Sequence, residues 1–216
     1  MTERLQEIFS LLPECEVFAD VGCDHGYIAE AMLKSGKCKK AILADVSAKC
    51  LKKAQDLLSS EILAGKAVAI VSNGFDNLPE SQLALIAGMG GQEIASILKK
   101  AKSLPEKLLL QPMKNSDEVR KTAVSVGYKI VKDYTFFSAD VFYDLILLEK
   151  GRDFLTEEEI EFGRTNLLER GQAFIDFLKQ KIQGLKTFSQ GKNLKPQTRD
   201  AMLKEAERLQ KYVDAR

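Results

Sequence analysis

Two periodicities of apolar residues divide the chain. Leu5, Ile8, Phe9 and Leu12 fall at helical spacing and Pro13 follows where a helix stops, which predicts one short amphipathic helix near the start. After it, short apolar runs alternate with helical patterns: EVFADV with YIAEAMLKSG, AILADV with SAKCLKKAQDLLSSEILAG, AVAIV with a loop, and LALIAG with GQEIASILKKA. Parallel strands need crossovers long enough to hold a helix, so this alternation predicts a parallel, doubly wound sheet. KLLLQP supplies a fifth strand, and SDEVRKTAVSVG a helix that Gly127 ends. YKIVKDYTFF and VFYDLILLEK are separated by Ser138, Ala139 and Asp140 alone, a link that admits a hairpin and no crossover. The prediction is an α/β fold with a seven-stranded sheet whose last strand is antiparallel.

The pattern changes at Gly151. Thr156 with Glu159 forms a capping box, and Ile160, Leu167, Phe174, Leu178, Ile182 and Leu185 continue one helical apolar stripe. The segment from Gly191 to Pro196 interrupts it, and Met202, Ala206, Leu209 and Val213 resume at helical spacing. This predicts a Rossmann-like domain over 1–150, including the first helix, and a C-terminal helical coiled-coil domain over 151–216. The strand order is that of class I methyltransferases, which ordinary nicotinamide dehydrogenase domains lack.

Composition narrows the picture further. The chain has 216 residues, 45% of them hydrophobic, enough to close a sizeable core. No apolar run is long enough to span a bilayer, and MTERLQEIFSLLPE carries acids among its apolar residues, unlike a signal peptide, so a cytoplasmic location and no membrane partner are expected. Cys15, Cys23, Cys38 and Cys50 form no C-x-x-C pair and His25 is the single histidine, which disfavours a zinc site or a disulfide framework, so no metal is expected. With 32 Lys plus Arg against 31 Asp plus Glu, overall charge points to no anionic partner, and only local clustering can. A monomer is expected.

The chemistry concentrates at strand ends. The first strand runs into Asp20-Val21-Gly22-Cys23-Asp24-His25-Gly26-Tyr27, a strand-to-helix turn whose glycines allow a ligand close to the backbone. A pyrophosphate there would be repelled by Asp20 and Asp24, whereas a ligand bearing an ammonium and a sulfonium, as S-adenosylmethionine does, suits them. Asp45 ends the second strand, followed by Val46, where a ribose-gripping acid belongs. The alternative is an ordinary turn with a capping Asp24 and a solvated Asp45. Ser72-Asn73-Gly74-Phe75-Asp76 follows the third strand, where Asn73 or Asp76 can bond an adenine and Phe75 stack on it, or where Asn-Gly simply makes a turn. Ile86-Ala87-Gly88-Met89-Gly90-Gly91 follows the fourth strand; its glycines admit either a flat base or close helix packing. Gln111 and Pro112 end the fifth strand on the same edge, lining an acceptor pocket or capping the next helix.

Taken together, ADVGCDHGY at Ala19 to Tyr27, LAD at Leu43 to Asp45, SNGF at Ser72 to Phe75, IAGMGG at Ile86 to Gly91 and LQP at Leu110 to Pro112 resemble the bacterial TrmK family. The resemblance covers nearly the whole chain. It implies S-adenosylmethionine as methyl donor, tRNA as partner, and N1-methyladenosine at position 22 as product. One departure is Asn73, where methyltransferases commonly carry an acid.

Adenine N1 has an in-plane lone pair and no hydrogen, so its methylation needs alignment rather than a general base. Asp24 is the candidate to stabilise charge developing on the base, with Tyr27 and Met89 stacking or orienting it. His25 reads as a cofactor-turn residue and Cys23 as a small buried one. An adenine in folded tRNA must be exposed, which calls for further RNA contacts. From Phe177 to Arg199 the cations Lys179, Lys181, Lys186, Lys192, Lys195 and Arg199 occur with no acid, and Arg4 can extend the track; a solvated helix face is the plain alternative. The competing functions are a small-molecule methyltransferase and a silent cofactor-binding module with a protein-binding arm.

Overall fold

The computed structural model describes residues 1–191 and 194–215, so Lys192 lies outside the described residues. Helix α1 (Glu3–Leu11) precedes strand β1 (Cys15–Val21), helix α2 (Tyr27–Lys34) and strand β2 (Cys38–Asp45). Helices α3 (Ala48–Leu57) and α4 (Ser59–Leu63) lead to β3 (Ala67–Val71), then come β4 (Leu83–Met89), α5 (Gly91–Lys100), β5 (Lys107–Pro112) and α6 (Ser116–Ser125). Strands β6 (Tyr128–Ser138) and β7 (Val141–Lys150) complete a seven-stranded sheet in the order β3-β2-β1-β4-β5-β7-β6. Only β7 runs antiparallel to its neighbours.

Both faces of the sheet are covered, which is why its strands read as nearly continuous apolar runs. Successive residues point to opposite sides. Phe18, Leu43, Leu85 and Leu109 pack with Ile8, Ile28, Met32 and Leu58, while Ala19, Ile42, Ile86 and Leu110 pack with Ile94, Leu98 and Val119. The turn between β6 and β7 is two residues, one shorter than the sequence suggested, because Ser138 already pairs with Val141. Ala139 and Asp140 both hold positive φ, 49° and 61°, as a two-residue hairpin turn requires.

Two helical patterns break where the sequence predicted continuity. The helix after β2 divides at Leu58, which is fully buried under the sheet. The tail stripe is three helices, α7 (Glu157–Phe162), α8 (Arg164–Glu169) and α9 (Gln172–Ser189), followed by α10 (Pro196–Asp214). Gly163 separates the first two at φ 88°, and Arg170 ends α8 at φ 52°. A Cβ on Gly163 would lie 2.6 Å from Asp133 Oδ2 and 2.9 Å from Arg120 NH2, so the bend follows a buried ion pair. Helices α9 and α10 pack as a hairpin on Phe162, Phe174, Leu178, Ile182, Ala206 and Leu209. Arg199 donates to the Ser189 carbonyl at 2.9 Å and so caps α9.

The tail is joined to the sheet by polar side chains that cover the exposed edge of β6. The Asp133 N–H donates to Thr165 Oγ1 at 3.0 Å, the Thr135 N–H to Asn166 Oδ1 at 2.9 Å, and the Ile130 N–H to Asp153 Oδ2 at 2.9 Å. An edge strand otherwise presents unpaired donors to any passing strand. Beneath these contacts Arg120 and Asp133 are wholly buried and paired at 2.9 Å.

Candidate active site

The parallel strands diverge in direction of winding between β1 and β4, the switch point at which open α/β sheets bind ligands. A cavity of about 440 Å³ opens there. Asp20, Gly22, Cys23, Asp24, His25 and Tyr27 line it from the first turn, Asp45 and Val46 from the end of β2, Asn73 and Gly74 from beyond β3, and Ala87, Gly88 and Met89 from β4. Arg4 and Leu5 of α1 close one wall, and Glu93 and Ile97 of α5 another.

The first turn is shaped by left-handed backbone. Gly22 at φ 77° donates its N–H to Ala44 O at 2.8 Å, and an added Cβ would sit 2.1 Å from Met89 Cε. The bare Cα thus lets Met89 fold over the turn. Asp24 follows at φ 44°, a conformation that short polar side chains tolerate better than most. Gly26 has a different task from the cofactor contact expected of it: its Cα faces Ala54 and Leu58 in the core, and it does not line the cavity.

Two acids define the floor. Asp45 accepts the Ser47 N–H at 2.8 Å through Oδ1 and the Asp24 N–H at 3.3 Å through Oδ2, which fixes its carboxylate toward the turn. Asp20 is 5% exposed, and its carboxyl is pushed up to about 7 by burial, opposed by the Ala29 N–H and reinforced by Asp45. Asp24 differs: although desolvation opposes it, Lys53 at 3.1 Å and His25 Nδ1 at 2.6 Å hold it below the usual carboxylate range. It stands at the mouth as an ionised acceptor. His25 stacks parallel on Tyr27 with ring centroids 5.4 Å apart, and Tyr27 is 45% exposed, so the pair forms an open aromatic shelf. Burial pushes the Cys23 thiol up, which leaves it without nucleophilic character at neutral pH.

Asp20 yields a signed expectation. Its ordinary value is 3.8, so between about 4 and 7 the folded chain retains a proton that the unfolded chain releases, and stability of the ligand-free protein falls as pH rises through that window. A cation bound beside the ionised carboxyl reverses the preference, so S-adenosylhomocysteine affinity should rise as pH rises through about 7. Asp20→Asn should flatten both profiles. Melting temperatures and calorimetric titrations between pH 5 and 8 test this, and profiles parallel to the parent's would exclude the assignment.

Several expected contacts lie elsewhere. Phe75 is half-buried against the core cluster on the α5 side, as Ile70, Leu78 and Ile97 are, and does not line the cavity; Gly74 abuts Ile97 at the start of this turn. Gly91 is buried against the loop after β5, where a Cβ would be 2.3 Å from Asn115 O, so close packing explains it rather than a base. Gly90 caps α5 beside Lys114, outside the cavity. Gln111 is fully buried, accepting from Arg4 NH1 at 2.7 Å and donating to Pro112 O at 3.0 Å; it anchors Arg4 at the cavity wall. Pro112 lines a second cleft. The basic track is partly neutralised by acids outside the window that was read, since Lys179 meets Asp176 at 3.4 Å and Lys181 lies 3.8 Å from Glu161. Lys186 sits in the last turn of α9. Sequence pattern does not single out Leu5, Ile28, Leu85, Glu93 and Ile97 as cavity residues, nor Lys53 as the partner of Asp24; of these only Glu93, an acid in the turn following IAGMGG, gives a local signal.

Among the described residues no helix is long and apolar enough to cross a membrane, and no His, Cys, Asp and Glu cluster is arranged to hold a metal.

Residues 1–146 match the methyltransferase domain family. The tRNA (adenine(22)-N(1))-methyltransferase of Bacillus subtilis is 27% identical over 161 residues, 70% of this chain and 66% of that protein. The structure of M. capricolum TrmK in complex with the cofactor product S-adenosyl-homocysteine superposes with a TM-score of 0.87 at 26% identity, covering 99% of this chain and 98% of that one. B. subtilis TrmK has the same fold, with a TM-score of 0.84 at 21% identity and 99% of both chains covered. The sheet order, the acid-floored cavity at its switch point and these matches agree: the chain belongs to the methyltransferase domain family, and over its whole length it is similar to TrmK.

Proposed function

We propose that the chain is an S-adenosylmethionine-dependent tRNA methyltransferase forming N1-methyladenosine at position 22, as its B. subtilis relative is named to do. The observation that carries this reading is the cavity at the switch point, whose floor offers Asp20 and Asp45 to a ligand with a cationic end and a ribose. The residues fit that cofactor: Asp20 offers a buried acid to its cationic end, and Asp45 presents a carboxylate fixed by the Ser47 N–H. When bound, the cofactor supplies a methyl group on a sulfonium. Tyr27 and Met89 orient the incoming adenine, and ionised Asp24 at the mouth accepts from its exocyclic amine as positive charge grows on the ring. The tRNA-modifying relatives favour this over a small-molecule methyltransferase or a silent module.

Residues 1–150 form the catalytic domain in this reading and 151–216 a helical domain that helps hold tRNA, with the protein acting as a cytoplasmic monomer. Incubating unmodified tRNA with the protein and labelled cofactor, then resolving nucleosides by mass spectrometry, should yield labelled N1-methyladenosine; its absence defeats the proposal. Replacing Lys179 and Lys186 by Glu should weaken binding across tRNA sequences and lower the slope of log affinity against log salt by about 1 per lost phosphate contact. Parental affinity at two salt concentrations would remove α9 from the RNA interface.

A further inference from the structure

Beside the cofactor cavity lies a larger cleft of about 840 Å³, bounded by the loop after β5, by β7 and by α9. We propose that it receives an unstacked nucleobase flanking the target adenine, an assignment that rests on the tRNA methyltransferase reading above. Two aromatic rings line it and a third extends the contact beyond it. Phe142 of β7 meets Phe177 of α9 edge-on at 5.7 Å and Phe137 at 4.7 Å, and Phe137 is 52% exposed. Phe142 and Phe177 are half-buried and line the cleft itself. These two rings join the sheet to the tail and still leave part of each facing the cleft.

The charges complement a nucleotide. Lys114 and Lys121 stand exposed around the cleft, suited to a phosphate beside a stacked base, while Lys181 lies 3.8 Å from Glu161 on its wall. Two of its carboxylates are already engaged: Glu161 accepts from Arg208 at 2.7 Å, and Asp144 from Arg120 at 3.3 Å and Thr135 at 2.6 Å. Asp117 and Glu157 remain toward solvent as acceptors for base amines. The cleft also adjoins the reaction site, since Met113 on its wall donates its N–H to the carbonyl of Met89 in the cofactor cavity at 2.8 Å. The two cavities thus share a wall at this hydrogen-bonded backbone contact between β4 and the loop after β5. Drawing an adenine out of a folded RNA unstacks its neighbours as well, and an aromatic surface in the adjoining cleft compensates one of them.

The test uses the full chain and tRNA carrying 2-aminopurine at the nucleotide on either side of the target. Binding to the parent protein should quench the probe at one of these positions by stacking. Phe142→Leu and Phe177→Leu should abolish the quench and raise KM for tRNA by roughly 5- to 150-fold, the worth of one stacked base, with S-adenosylhomocysteine affinity and melting temperature kept. Phe177→Tyr should restore both readouts. Unquenched probes in the parent complex overturn the proposal without recourse to any variant, as does parental KM in both leucine variants; either outcome assigns the cleft to another ligand, such as a peptide, while methyl transfer persists. If the parent forms no N1-methyladenosine in tRNA, the underlying functional reading fails instead.

Discussion

Arg120→Ala should destabilise the protein by about 3–5 kcal/mol, because it strands Asp133 as an unpaired charge in the interior. Both side chains are 0% exposed, so neither water nor salt can substitute for the partner. The guanidinium also reaches Asp144 at 3.3 Å and the carbonyls of Ile160 and Glu161 at 3.2 and 3.3 Å, which end α7. One substitution therefore releases the last turn of α7 and the Asp133–Thr165 bonds that hold α8 on the edge of β6. A lysine retains the charge but lacks the planar fork, so Arg120→Lys should recover only part of the loss. Urea unfolding followed by circular dichroism measures this directly, and the melting temperature should fall by roughly 6–20 °C for a chain of this size. An unchanged urea midpoint would show that the ion pair adds nothing beyond what well-packed apolar residues would.

Arg120 also marks the limit of what the chain reveals before it folds. In SDEVRKTAVSVG it reads as one more solvent-facing charge, and nothing nearby announces Asp133 or the bend at Gly163 that accommodates them. The tail accordingly reads as one long stripe, since Ile160, Leu167 and Phe174 keep helical spacing across breaks imposed from outside the segment. The α/β core is legible for the opposite reason. Strands buried on both faces announce themselves as apolar runs, and the short link before Val141 leaves a hairpin as the sole option. Within the site, Asp20, Asp45 and Asn73 were found because strand ends converge at the switch point whatever the details of packing. Glu93 reaches the same cavity, and Lys53 reaches Asp24 on its wall, from helices, where direction depends on how each helix is rotated, and linear spacing carries no sign of that. Phe75 shows the converse error: a residue beside the site in sequence that lies half-buried against the core instead. The lysines of α9 show a related limit: the acid-free stretch from Phe177 to Arg199 gives no sign of Asp176 and Glu161, which pair with Lys179 and Lys181 from outside it.

Asp45→Ala should weaken S-adenosylmethionine and S-adenosylhomocysteine binding by about 1.5–3 kcal/mol, roughly 10- to 150-fold, if its carboxylate accepts charge-assisted bonds from the ribose. The geometry makes this a test of two roles at once. Asp45 already accepts the N–H groups of Ser47 and Asp24, so the substitution also frees the backbone of the first turn, and some affinity could be lost through the turn alone. Asp45→Asn separates the two. Its amide oxygen can keep one backbone bond, sparing most of the stability of the ligand-free protein, yet it carries no charge with which to grip a ribose diol. The asparagine variant should therefore melt close to the parent without ligand while gaining much less in melting temperature when S-adenosylhomocysteine is added. Calorimetric titration gives the affinity itself. Parental affinity in the folded asparagine variant would reduce Asp45 to a builder of the turn, and the ribose would then need another acceptor among the residues that line the cavity.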